Sequence, residues 1–139
     1  MIRKYLFHDA LKVILQPEQA AEAAEFACFF DDIKSYTLVD DNGGVLAVFG
    51  YRLASALEAE CFALIGANCG KKMLSLVRFL QTEIPLVMQK KCLNRAIFTV
   101  QKNFAAAYRL AVLLGFHCVA ELPNFYLNID YLLFERKIK

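Results

Sequence analysis

Two stretches of this 139-residue chain carry side chains of the types and spacing that chemistry uses. Glu58 and Glu60 stand two residues apart in LEAECFALI, a run that alternates with period two. Both carboxylates therefore share one face of a predicted strand. On a partly buried face each would raise the other's pKa, and one could serve as a general base; on a solvated face they are solubilising charges. The next residues, GANCGKK (66–72), break the alternation and open a helix. The first amides of a helix lack intrahelical partners and favour an anion. Within that loop Cys69 precedes Lys71 and Lys72, a setting that lowers a thiol pKa, although no histidine lies near it in sequence.

The elements that must hold these groups follow from periodicity. Met1–Phe7 reads as a short strand, and Leu11, Ile14 and Leu15 recur at helical spacing from His8. Pro17 suits the first turn of a second helix running to about residue 32, with Phe26, Phe29 and Phe30 near its end. Ser35–Asp40 and Val45–Leu53 flank Asp-Asn-Gly-Gly, a hairpin signal, and Leu57–Ile65 is the third strand of the group. Met73, Val77, Leu80, Ile84 and Val87 make an amphipathic helix that Pro85 should kink or restart. RAIFTVQ (95–101) reads as a buried strand, and NFAAAYRLAVLLGF (103–116) as a helix stopped by Gly115. Two last strands, 117–121 and 125–135, are separated by a break at Leu122-Pro123-Asn124. The order predicts one domain over residues 1–139: an α+β fold with a mixed, mostly antiparallel twisted sheet and helices on both faces.

Composition narrows the classes. The apolar share of 58% exceeds the roughly 45–50% of ordinary domains, so a dense core is expected, with a surplus that could cover a homodimer interface. Sixteen basic and 14 acidic residues are too balanced for a nucleic-acid binder. No apolar run reaches the ~18 residues of a membrane span, and the start lacks a signal-peptide pattern. A soluble cytoplasmic protein is expected. Five cysteines without a C-x-x-C pair, and two distant histidines, His8 and His117, give no metal-ligand spacing.

MIRKYLFHDALKVI at the start, ECFALIGANCGKKMLSLVRFL in the centre, and RAIFTVQKNFAAAYRLAVLLGF with NIDYLLFERKI at the end span almost the whole chain. In order and spacing they resemble the GNAT (GCN5-related N-acetyltransferase) superfamily, including small phage-encoded members. The resemblance implies an acetyl-CoA-dependent N-acyltransferase that acetylates a small-molecule or peptide amine by direct attack, with no metal. In that family two central strands splay apart and free backbone groups pair with the pantetheine arm. The corresponding segment here is Phe62, Ala63, Leu64 and Ile65. Gly66, Asn68, Cys69, Gly70, Lys71 and Lys72 would receive the pyrophosphate, with Asn103 also near the cofactor. The family's loop reads Q/R-x-x-G-x-G/A; here Ile65 or Ala67 stands for the Gln or Arg, depending on register, and the two lysines could supply the charge. Glu60 is the first candidate for general base, Glu58 the second and Glu121 a weaker third. The family's acid, a Tyr four residues before the helix-ending Gly, is replaced by Ala111; Tyr108, one turn earlier, could substitute or could be a core residue. Phe26, Phe29, Phe30 and Tyr36 could wall an acceptor pocket or belong to the core. The other reading is a non-catalytic binding or structural protein that keeps the fold with a degenerate loop.

Overall fold

A computed structural model of the chain describes residues 1–20, 30 and 33–138. Its strands are β1 (Ile2–Lys4), β2 (Lys34–Val39), β3 (Val45–Leu53), β4 (Glu58–Ile65), β5 (Arg95–Gln101), β6 (His117–Tyr126) and β7 (Ile129–Lys137). The α-helices α1 (Met73–Lys90) and α2 (Ala105–Leu113) lie among them in sequence. The strands form a seven-stranded mixed sheet in the order β1-β2-β3-β4-β5-β7-β6, with β4 and β5 parallel. This is the expected α+β class.

The chain forms two compact units. One comprises Met1–Arg52 and Phe62–Leu76. Its core joins Ala10, Val13, Phe30, Val45, Val48 and Leu64, with Tyr5, Leu15, Ile33 and Phe62 packed against them. The β2–β3 hairpin is closed as its turn residues predict: Asp40 Oδ1 accepts from the amides of Asn42 and Gly44 at 2.9 and 2.7 Å, and Gly43 takes φ +79°. Buried Asp9 anchors the N-terminal segment, accepting from both Arg3 Nη atoms, the Leu6 amide and the Thr37 hydroxyl.

The expected helix over residues 8–15 is absent. A short 3-10 helix covers Asp9–Lys12, and Val13 is already extended at φ −70°, ψ 130°. Leu11 and Ile14, which set the helical spacing, are exposed. A second 3-10 turn at Pro17–Gln19 starts where the next helix was expected. The remainder of that helix, with Phe26 and Phe29, lies outside the described residues. Phe30 belongs to the core.

The other unit comprises Leu53–Cys61 and Val77–Lys139. Helix α1 runs unbroken through Pro85, against the expected restart. Its apolar stripe of Val77, Leu80, Ile84 and Met88 is buried, so packing outweighs the ~3 kcal/mol that a helix-interior proline costs. Helix α2 ends in the predicted glycine stop. Gly115 takes φ +84°, its amide reaches Val112 O and the Phe116 amide reaches Ala111 O, both at 3.0 Å. Arg136 Nη1 donates to Leu114 O at 2.8 Å and complements the negative end of the helix.

Strands β6 and β7 correct another expectation. Leu122-Pro123-Asn124 does not separate two strands; it is a register irregularity inside β6. The turn comes later, at Leu127 and Asn128, with φ +49° and +58°. Two successive positive φ values suit a tight hairpin, and Asn tolerates them while Leu gives no signal of it. Pro123 is accommodated because β6 is an edge strand.

Candidate functional site

The central strand β4 is the place to start, because its two halves have different neighbours. Its first half pairs in parallel with β5, from Glu58↔Arg95 to Cys61↔Phe98, and the ladder ends there. Strand β4 itself continues to Ile65. One edge of this second half faces β3, as the Gly66 amide shows by donating to Leu46 O at 2.8 Å. Peptide groups alternate direction along a strand, so Ala63, Ile65 and Ala67 present theirs to the opposite edge.

Among the described residues, that opposite edge is held by side chains and one backbone bridge. Gln19 donates from Nε2 to Ala63 O at 3.0 Å and accepts from the Ile65 amide through Oε1, also at 3.0 Å. Gln16 Nε2 donates to Ile65 O at 3.1 Å. The Ala67 amide donates to Ile14 O at 2.7 Å, and Leu15 lies opposite Gly66 in an isolated antiparallel bridge. At Pro17 the chain turns into the second 3-10 helix, and the bridge is not extended. The buried Gln19 carboxamide takes over with the same donor–acceptor pair as a peptide group. These two glutamines were not singled out by sequence: they flank a proline in a stretch that reads as a helix start.

The loop that follows departs from the expected phosphate cradle in its first half. Gly66 is buried, and a Cβ there would stand 2.3 Å from Leu46 O. This glycine is therefore required by the approach of the chain to itself. Asn68 is exposed, with its Oδ1 3.0 Å from where a Gly66 Cβ would lie. Gly70 takes φ +53° and has open space where its Cβ would be. Lys71 is exposed, whereas Lys72 Nζ pairs with Asp41 Oδ1 at 3.0 Å. The Lys72 amide already donates to Cys69 O.

Cys69 corrects a sequence expectation. The thiol is buried and donates to Leu46 O at 3.1 Å. Burial pushes its pKa up, outweighing the contact at Gly66 that lowers it. The adjacent lysines do not make it a reactive thiolate, because desolvation of the charged form dominates.

The acid and base candidates are placed as follows. Glu58 Oε2 accepts from Arg95 Nη1 at 3.0 Å, and Arg95 Nε donates to Glu135 Oε2 at 2.6 Å. Arg95 thus ties Glu58 into an ion cluster with Glu135, which Lys137 Nζ joins at 3.5 Å, and this occupies Glu58 as a base. Glu60 is half-buried on β4 beside Cys61, whose thiol burial pushes up to about 12, with the Glu60 charge adding to the rise. Glu121 pairs with Lys102 at 2.6 Å on an exposed surface. Tyr108 is not the core residue that its spacing allowed. It is 42% exposed on α2, its ring edge-on to Phe134 at 5.2 Å. Asn103 is exposed two residues before α2, whose N-cap, Phe104, provides no side-chain cap. Ala111 is fully buried. Tyr36 is half-buried on β2.

Neither a protein-family model nor a curated protein matches the sequence. Solved structures do match. An acetyltransferase of the GNAT family from Bacillus anthracis superposes with TM-score 0.73 at 13% identity, over 98% of this chain and 93% of its own. Ard1 from Thermoplasma volcanium gives 0.72 at 18% identity, over 100% and 97%. A GNAT family acetyltransferase from Elizabethkingia anophelis, with acetyl-CoA bound, gives 0.69 at 11% identity, over 99% and 97%. The chain has the GNAT acyltransferase fold.

Proposed function

We propose that the protein is an acetyl-CoA-dependent N-acyltransferase that acetylates an amine by direct attack. The observation that carries this reading is the second half of β4. Its edge, beyond the last β5 pair at Cys61↔Phe98, presents an acceptor at Ala63 O and a donor at Ile65 N, and these recognise an amide group. The pantetheine arm of acetyl-CoA carries amides of that chemistry, so the residues present fit it.

In this reading Ala63 and Ile65 orient the arm. The open side of Gly70 and the Lys71 ammonium receive the diphosphate. Acetyl-CoA supplies the thioester acyl group. The family resemblance assigns the role of general acid to Tyr108 and that of general base to Glu60. Arg95 and Glu135 hold Glu58 away from that role.

A second reading, a non-catalytic protein on the same fold, draws on a specific observation. The Gly66 and Ala67 amides are bonded to Leu46 O and Ile14 O, and Lys72 is paired with Asp41. Thermal unfolding with acetyl-CoA separates the two. A ligand at 100 times its Kd stabilises the folded state by about 2.7 kcal/mol. The acyltransferase reading expects a clear rise in melting temperature, and no rise at millimolar acetyl-CoA removes it.

A further inference from the structure

We infer that Gln19 is a built-in competitor for the acyl-CoA edge, so that the amide-bearing arm enters only when the Gln19 carboxamide swings out. This rests on the acyltransferase reading above. The carboxamide occupies the very pair of backbone groups that the reading assigns to the arm: Nε2 on Ala63 O and Oε1 on the Ile65 amide, each at 3.0 Å. Gln19 is 4% exposed, so ligand and carboxamide cannot share the position.

The segment around it is built to hold that place and to leave it. Two further hydrogen bonds keep it there: Gln16 Nε2 donates to Ile65 O, and the Ala67 amide donates to Ile14 O as part of the bridge between Leu15 and Gly66. A full strand would have continued this pairing as a ladder. Here the chain turns into a 3-10 helix at Pro17–Gln19, and a side chain completes the pairing. A side-chain amide leaves by rotating about its own bonds, whereas a backbone ladder would have to be peeled away. A ligand whose site is closed in most molecules binds with an affinity reduced by the open fraction. Gln19 thereby sets how tightly acyl-CoA binds, and any acceptor or partner that draws the 14–19 segment off β4 would raise that affinity.

Calorimetric titration of the whole chain and of Gln19→Ala tests this with two ligands, acetyl-CoA and adenosine 3′,5′-bisphosphate. The second ligand lacks the pantetheine arm. The expected result is that Gln19→Ala binds acetyl-CoA on the order of tenfold more tightly, with the bisphosphate affinity unchanged. Equal or weaker acetyl-CoA binding by the variant overturns the competitor role and leaves the acyltransferase reading standing. No acetyl-CoA binding by either chain overturns both. Should the variant not fold, the side-chain NH2 resonances of Gln19 in the wild-type protein decide. They shift on saturation with acetyl-CoA if the carboxamide is displaced, and stay in place if it is not.

Discussion

Leu46 O accepts two hydrogen bonds from the chain that follows β4, from the Gly66 amide at 2.8 Å and from the Cys69 thiol at 3.1 Å, and leaves no room for a side chain at position 66. A Cβ on Gly66 would sit 2.3 Å from that oxygen, a distance that only backbone movement relieves. Gly66→Ala is expected to cost about 3 kcal/mol, the upper end of overpacking penalties. Gly70→Ala meets nothing within 4 Å and bears only its φ of +53°, about 1–2 kcal/mol. Denaturant unfolding of both variants checks the order; a Gly70 variant less stable than the Gly66 variant contradicts it.

Asp9 gives the fold a pH dependence of known sign. Burial pushes its pKa up, but Arg3, the Leu6 amide and the Thr37 hydroxyl together outweigh burial and hold it below the ordinary carboxylate value. A depressed folded-state pKa means stability that is fully present above the unfolded pKa, near 4, and is lost as pH falls through the folded value. Wild-type stability should therefore decline below about pH 4. Asp9→Asn should flatten that acid limb while lowering stability at pH 7 by about 1–3 kcal/mol. An acid limb unchanged in the variant would assign the dependence to other groups.

Pro85 sits inside α1, where it removes one amide donor from the helix. Pro85→Ala restores it, and the intrinsic preference of about 3 kcal/mol is offset by up to about 1 kcal/mol from the freer unfolded chain. A net gain of about 2–3 kcal/mol is expected, read as a higher melting temperature.

Among the four described cysteines, reactivity should follow exposure. Cys92 and Cys118 are exposed, and Cys61 and Cys69 are buried with thiols pushed up by desolvation. Peptide mapping after brief iodoacetamide treatment at pH 8 should find label on Cys92 and Cys118 and little on the buried pair. Rapid labelling of Cys69 would contradict its burial.

Glu60→Gln and Tyr108→Phe test the proposed proton transfers. Each should lower kcat by about 10²–10⁴-fold with little change in acetyl-CoA binding, since general acid–base steps contribute on that scale. Glu58→Gln should instead act on stability through Arg95, with kcat largely retained. Activity unaffected by Glu60→Gln would move the base elsewhere.

The strands were legible where an unbroken apolar or β-branched run is bounded by polar or turn residues. Val45–Leu53 and Arg95–Gln101 have the bounds that their residue patterns predict, and the Asp40–Gly44 turn and the Gly115 stop follow from local φ requirements. The N-terminal helix failed for a related reason. Leu11, Ile14 and Leu15 have helical spacing, yet Leu15 bridges to Gly66, some fifty residues on, and two of the three apolar groups stay exposed. Periodicity records which residues are apolar, not which distant strand edge needs a partner. Tyr108 and Cys69 failed in opposite directions: one was allowed a core role and is exposed, the other was given a reactive setting and is buried.

The order of elements from β2 to α2, the Asp40–Gly44 turn and the Gly115 stop were determined by the sequence alone, because each depends on residues close together in the chain. What fills the edge of β4 was decided only by tertiary structure. Gln19 and Ala63 are 44 positions apart, and no local pattern marks a glutamine whose carboxamide will take the place of a peptide group. A strand's unpaired hydrogen-bonding groups must be satisfied by something. Which group arrives is settled by the path of the folded chain.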